Sequence, residues 1–302
     1  MNPSLVGILF VFIGSILFSA KAVLVKLVYK EGLDSIEALT LRLIFALPFF
    51  LLSLTWILAK KKIPQNIKRS QVASAIFFGF LGYYLASIFD FMGLEYITAG
   101  LERLVLFIYP TLVVILNFLI FKKKLHKLDF VALLITYSGI LFAYLHDIQV
   151  GGEDVNIGVL CVLISAISYA VYLIGSGHLI PKLGTQLFTN IAMITSCILV
   201  FIQFSFTSNW NRILEYNSYV LFLGFLLGIF TTVVPSYLIS AGIHRIGSSK
   251  SSILSSIGPV STLILANIIL DEELGIYQII GTALVLGGVF IISRKKKEVL
   301  NQ

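Results

Sequence analysis

The sequence predicts an all-α polytopic membrane protein with ten transmembrane helices arranged as two inverted five-helix repeats. Three observations carry that prediction. Hydrophobic residues make up 58% of the chain and charged ones 12%, with a mean hydropathy of +0.98, a balance far outside that of a soluble globular domain. The apolar residues fall into runs close to the ~20 residues that a helix needs to cross a bilayer. Landmarks of the first half recur in the second at a nearly fixed offset.

Breaking the chain at its charged and Pro/Gly/Asn-bearing stretches gives segments near 4–29, 35–59, 71–93, 98–121, 128–146, 156–179, 184–206, 217–241, 248–270 and 275–293. Barrel strands would be about 9–11 residues with strict alternation, which these runs lack. The "AKA" at Ala20–Ala22 has the look of a signal-peptide cleavage site, but no basic stretch precedes it and further spans follow, so the first segment reads as a retained helix. Cys161 and Cys197 both lie inside apolar runs without metal or disulfide spacing, which makes them packing residues.

The net charge of +7 has a local origin. Five Lys/Arg fall in 60–69, four in 122–127, one in 178–184, two in 244–250 and four in the tail from Arg294, whereas the opposite loops hold only Lys30 and Arg212. The positive-inside rule then places both termini in the cytoplasm of a multi-pass cell-membrane protein. It also removes nucleic acid as the reason for the basic balance. The expected organisation is a first repeat over 1–146, a second over 156–293 and a basic cytoplasmic tail, 294–302.

Shifting the chain on itself by 149 residues superposes Gly79 on Gly228, Gly93 on Gly242, Ile97 on Ile246, Pro110 on Pro259 and Gly139 on Gly288. Near the start of each half the offset is 151, which sets Gly7 on Gly158 and Lys21 on Tyr172. Because each half holds an odd number of spans, the second must enter the membrane from the opposite side, the arrangement typical of secondary transporters. Pro110 and Pro259 fall near the bilayer midplane, where each removes a backbone donor and frees the carbonyl four residues earlier, Leu106 or Ser255. Their equivalence favours a pair of helix breaks facing a shared cavity over a kink absorbed by packing.

The stretch "GSSKSSILSSIGPVSTLILANIILDEELGIYQIIGTALVLGGVFI" and its proline-matched counterpart in the first half resemble the EamA-type branch of the drug/metabolite transporter superfamily. Within it, "LDEEL" resembles the family's acidic motif after the ninth helix, with Glu272 as the acid; the equivalent position of the first half is Lys123, which argues against a symmetric role. The resemblance implies an exporter or exchanger of amino acids, other small metabolites or drugs, with a cavity lined by helices 1, 3, 4, 6, 8 and 9. Arg42 is similar to a family arginine and is read as structural, capping or pairing near the outer interface.

A charge at a helix centre costs about 2.5–3.5 kcal/mol on insertion scales, so each buried one needs a partner, water or a route to the surface. Lys26 is expected to snorkel to the surface. Lys21 is deeper; it either snorkels too or faces the cavity, and its depth match with Asp90, Glu102 and Arg103 points to the cavity, close to one of the acids. For Glu102 and Arg103 an exposed helix start is an equal alternative. Tyr83, Ser87 and Asp90 share one helix face, as do Glu102, Leu106 and Tyr109. The second half offers uncharged groups instead: Ser165, Tyr169, Tyr172 and Ser176 on the sixth segment, and Ser252, Ser255 and Ser256 on the ninth. Small residues of this kind also serve close helix packing.

The substrate-binding set is therefore Lys21, Tyr83, Ser87, Asp90, Glu102, Tyr109, Tyr169, Tyr172, Ser255 and Ser256, with Asp90 and Glu102 also the candidates for proton coupling. A Walker-type phosphate loop is absent from the sequence, which leaves a gradient or exchange as the drive. A membrane-embedded lipid-modifying enzyme is the alternative, but His126, His146, His178 and His244 form no HExxH and fall at different helix ends. No cofactor or metal is expected. The expected partners are a small-molecule metabolite and the lipid bilayer, with a homodimer left open.

Overall fold

A computed structural model describes residues 3–60, 67–122, 127–150, 154–246, 254–255 and 257–299, and all regular secondary structure among them is helical. Among the described residues seven helical spans are long and apolar enough to cross a membrane: Leu5–Lys30, Ser35–Ala59, Arg69–Tyr96, Ala99–Ile120, Val155–Leu183, Thr185–Thr207 and Ser218–Ile239. Shorter apolar stretches at Leu133–Ile148, Ile257–Leu270 and Ile276–Ile291 stand where the fifth, ninth and tenth segments were expected.

Local chemistry sets several boundaries. Helix α1 (Pro3–Lys30) ends before Gly32, whose φ of +84° suits glycine. Helix α2 (Ser35–Ala59) starts on a capping box in which Asp34 accepts from the Glu37 N–H and Glu37 accepts from the Asp34 N–H, satisfying two donors that a helix start leaves open. The third segment is not one regular helix. It runs as α3 (Arg69–Gly79), a π-helical stretch Phe80–Leu85 and α4 (Ala86–Tyr96). The fourth is split into α5 (Ala99–Leu106) and α6 (Tyr109–Phe121), followed by α7 (Lys127–Val150).

The second half comprises α8 (Val155–Leu183), α9 (Thr185–Thr207), a short connecting α10 (Asn211–Glu215), α11 (Ser218–Phe225), a second π-helical stretch Leu226–Val233 and α12 (Val234–Ile246). Helices α13 (Ile257–Leu270) and α14 (Ile276–Val299) complete it; α14 continues into the basic run that the sequence set apart as a tail. The two π-helical stretches lie at equivalent places of the repeat. In the second, the widened turn leaves the Leu227 carbonyl to accept from the hydroxyls of both Thr231 and Thr232, at 2.8 and 2.9 Å.

Packing crosses between the halves in matched pairs. Helix α1 packs on α12 and α13, α8 packs on α4 and α6, and α2 and α7 pack on α9 and α14. The repeat glycines show why these helices approach closely: a Cβ on Gly7 or Gly242 would run into the other's helix, and the same holds for Gly158 and Gly93. Gly139 and Gly281 face each other's carbonyl in the α7–α14 contact, where an added Cβ would stand 2.6 and 2.5 Å from the oxygen. Such backbone approach is the small-residue packing that membrane helices favour. Leu52, Phe77, Leu160 and Ile198 remain exposed on outer faces, as side chains that meet lipid do.

Arg42 is buried in this interface instead of lying near a surface. Its Nε donates to the Thr232 hydroxyl at 2.8 Å and its guanidinium sits 5.6 Å from the Phe91 ring centroid. The structural reading of Arg42 holds, but its partner is the π-helical turn of the opposite half.

Candidate solute site

The ion cluster forms where α1, α4 and α5 meet. Lys21 Nζ is hydrogen-bonded to Asp90 Oδ2 and lies 3.2 Å from Glu102 Oε1, and the three side chains are 5%, 5% and 0% exposed. Lys21 thus faces the acids and not the headgroups. Arg103, also buried, donates to the Ser19 hydroxyl at 3.4 Å. Phe18, one turn before Lys21, places its ring 5.1 Å from the Arg103 guanidinium and 6.0 Å from Lys21 Nζ, a favourable use of an aromatic face where water is scarce.

The cluster is incompletely satisfied. Asp90 Oδ1, Glu102 Oε2 and Arg103 Nε are buried without a hydrogen-bond partner among the described residues. Buried polar atoms of this kind are uncommon and costly. Two acceptors and one donor are thus left open among the described residues. Glu102, in the first turn of α5, and Arg103, in its last, are both buried, which overturns the reading of an exposed helix start.

A seam of small polar groups joins α1 to the second half. Ser15 Oγ donates to Ser255 Oγ at 3.0 Å, Ser19 Oγ donates to the Ser15 carbonyl at 2.7 Å, and Thr262 Oγ1 donates to the Ser19 carbonyl at 3.0 Å. Gly258 makes room for it: a Cβ there would stand 2.9 Å from Arg103 Nη2 and 3.0 Å from Ser19 Oγ.

Four tyrosines form a second group. Tyr83 and Tyr172 have centroids 5.0 Å apart, with the Tyr172 hydroxyl donating to that of Tyr83 at 3.2 Å. Tyr172 stacks on Tyr169 at 5.7 Å, and Tyr169 meets Tyr109 edge to face at 5.1 Å. The Tyr172 ring occupies the space that a side chain on Gly82 would need. The structure therefore brings Lys21, Asp90 and Glu102 together, and separately joins Tyr83, Tyr109, Tyr169 and Tyr172. Ser255 joins α1 through Ser15, Ser87 is half-buried one turn before Asp90, and Ser256 lies outside the described residues, as do Ser252, Lys123 and His126.

The break at Pro110 is present. Pro110 opens α6, and the 107–108 turn before it is held by three-residue hydrogen bonds, Ile108 N–H to the Val105 carbonyl at 3.1 Å and Thr111 N–H to the Ile108 carbonyl at 2.8 Å. Pro259 lies in the first turn of α13, and residues 247–253 and 256 upstream of it lie outside the described residues.

At the bundle end bearing the 271–275 connection, two carboxylates close the start of α5. Asp147 accepts from the Thr98 N–H and hydroxyl, both at 2.9 Å, and Glu272 accepts from the N–H groups of Ala99 and Gly100 at 3.0 and 3.4 Å. Lys26 and Lys30 line a pocket of about 270 Å³ with Thr98, Asp147 and Glu272. Lys26 is half-buried there, beside the exposed Lys30. Sequence reasoning missed Ser15, Phe18 and Ser19, although they sit on α1 within two turns of Lys21.

Comparison with known proteins agrees with the repeat. The model of the EamA-like transporter family matches residues 5–145 and again 156–294. The chain is 28% identical over 297 residues to "Uncharacterized transporter YcbK" of Bacillus subtilis (strain 168), covering 95% of this chain and 91% of that one. It is 25% identical over 323 residues to "Uncharacterized transporter sll1319" of Synechocystis sp., covering 98% and 95%. A solved crystal structure shares the fold at 16% identity and a TM-score of 0.65, covering 97% of this chain and 98% of that chain. The chain belongs to the EamA-like transporter family.

Proposed function

We propose that the protein is a secondary transporter, an exporter or exchanger of amino acids or other small metabolites, working by alternating access of a cavity between its two halves. The single observation that carries the reading is the buried, incompletely satisfied cluster of Lys21, Asp90, Glu102 and Arg103. A solute ammonium would find acceptors at Asp90 Oδ1 and Glu102 Oε2, a solute carboxylate a donor at Arg103, and an apolar body the rings of Tyr83, Tyr109, Tyr169 and Tyr172. With no solute bound, Lys21 bridges the two carboxyl groups. Asp90 and Glu102 are the groups that would carry a coupled proton, and the Lys/Arg distribution puts the 271–275 connection outside a cell membrane, with both termini inside.

A thermal-shift screen of the purified protein against amino acids and related metabolites identifies the solute, since a ligand at 100 times its Kd stabilises the fold by about 2.7 kcal/mol. Counterflow of that solute in proteoliposomes then tests transport. Flux that persists in sealed vesicles with no proton dependence, unchanged in Asp90→Asn and Glu102→Gln, would remove the coupling role. Absence of flux together with a lipid-modifying activity would overturn the transporter reading.

A further inference from the structure

Helix α5 is eight residues long and bounded in an unusual way. At one end the 107–108 turn and Pro110 uncouple it from α6. At the other, carboxylates from two different halves of the chain meet it: Asp147 holds the capping residue Thr98, and Glu272 takes the opening N–H groups of Ala99 and Gly100. Between these ends it carries Glu102 and Arg103, the two site groups contributed by no other helix. We propose that α5 is the moving gate of the outer side and that Glu272 is its latch, a positioning residue that holds Glu102 on Lys21 from the opposite half.

The latch is built on both sides. The Asn267 side chain donates to the Glu272 carbonyl at 2.9 Å, and the Glu272 N–H donates to the Ala266 carbonyl at 3.3 Å, so the backbone that presents the carboxylate is itself fixed. Gly100 lets α5 approach the second half: a Cβ there would meet the side chains of Gln278 and Leu263. Asp147 belongs to the first half and holds Thr98, with His146 Nδ1 3.5 Å from its Oδ1. Among the described residues, Glu272 is the carboxylate that crosses from the second half to the α5 backbone. A helix start is a natural place for such a contact, because its free N–H groups and dipole attract a carboxylate. The contact is reversible because water can replace the carboxylate on those N–H groups once the end opens. Release at that end would let α5 swing about the 107–108 turn and carry Glu102 and Arg103 away from Lys21 and Ser19.

The inference uses the alternating-access reading only for its purpose, and its test needs no solute. Amide exchange of the 97–106 stretch is measured by mass spectrometry on the full-length protein and on Glu272→Gln and Glu272→Ala. Exchange should quicken about ten-fold or more in the alanine variant. It should quicken less in the glutamine variant, whose one acceptor oxygen can hold one of the two N–H groups. Exchange of the 193–200 stretch of α9, which carries the buried Met193, Cys197 and Val200, should stay unchanged, which separates release of the latch from loss of the fold. In parallel, Ser87→Cys on a Cys161→Ser/Cys197→Ser background is labelled from outside with an impermeant thiol reagent, with and without Glu272→Ala. Labelling several-fold faster with Glu272→Ala is expected. Unchanged exchange in 97–106 would overturn the latch; faster exchange without faster labelling would overturn the gate. Either failure can occur while transport persists.

Discussion

Arg42 Nε donates to the Thr232 hydroxyl at 2.8 Å, tying the second helix of one half to the π-helical turn of the other. Thr232 in turn donates to the Leu227 carbonyl, so one hydroxyl serves both the widened turn and the interface. Thr232→Val should remove both at nearly constant volume and leave Nε buried without its acceptor, destabilising the protein by about 1–3 kcal/mol. Thr232→Ser should retain most of the stability. Unfolding in detergent compares the two; equal loss in both would show that the methyl group and not the hydroxyl matters.

Removing Lys21 leaves two buried acids with their counter-ion gone. Lys21→Met should cost about 3–5 kcal/mol. Adding Asp90→Asn and Glu102→Gln should recover a large part, because the unpaired charges go with them. A triple variant as unstable as Lys21→Met would mean that packing of the lysine stem, not charge, dominates.

Close backbone contacts make glycine positions unequal. At Gly79 a Cβ would stand 2.6 Å from the Ala192 Cα, and at Gly228 2.7 Å from the Arg42 carbonyl oxygen, whereas at Gly177 nothing lies within 4 Å. Gly79→Ala and Gly228→Ala should each destabilise by about 1–3 kcal/mol through overpacking. Gly177→Ala should be neutral or mildly stabilising. Melting temperatures of the three variants decide it.

Burial holds the Glu272 carboxyl above the ordinary value of 4.5, against the pull of the Ala99 and Gly100 N–H groups and of Lys26, with Asp147 adding to the rise. Lys30 shares the pocket, and His146 abuts Gly275 of the same connection. A raised carboxyl binds more protons folded than unfolded, so its contribution to stability is fullest below the unfolded value and declines as pH rises through the folded one. Its hold on α5 has the opposite sign, because the ionised form is the stronger acceptor. Exchange of the Ala99 and Gly100 amides, corrected for its intrinsic pH dependence, should quicken as pH falls through the raised value. Glu272→Gln should abolish that dependence; the same profile in both proteins would assign it to another group.

Much of the fold was legible because membrane helices announce themselves by apolar length and because the repeat registers named glycines on each other. The meeting of Lys21 with Asp90 and Glu102 was legible too, since depth along a helix follows from rise per residue alone. Rotation is harder to read. Each residue turns a helix by about 100°, so the half-buried position of Lys26 beside Asp147 and Glu272 depended on how α1 packs, which depth does not reveal. The π-helical stretches escaped too: within them Gly82 lies against the Tyr172 ring and Gly228 against the Arg42 backbone, contacts remote in sequence. Glu272 was recognisable as a motif residue, but its partners at Ala99 and Gly100 are 173 and 172 residues away.

The crossed glycine contacts, Gly7 with Gly242 and Gly158 with Gly93, make each interface twice with the roles exchanged, as an isologous dimer does. In a true two-fold dimer one substitution alters both copies at once. Here the two copies are separate stretches of a single chain and can diverge. That freedom is what allows one position of the repeat to be Lys21, held between two acids, and its twin to be Tyr172, stacked among tyrosines: symmetry in the scaffold, polarity in what it encloses.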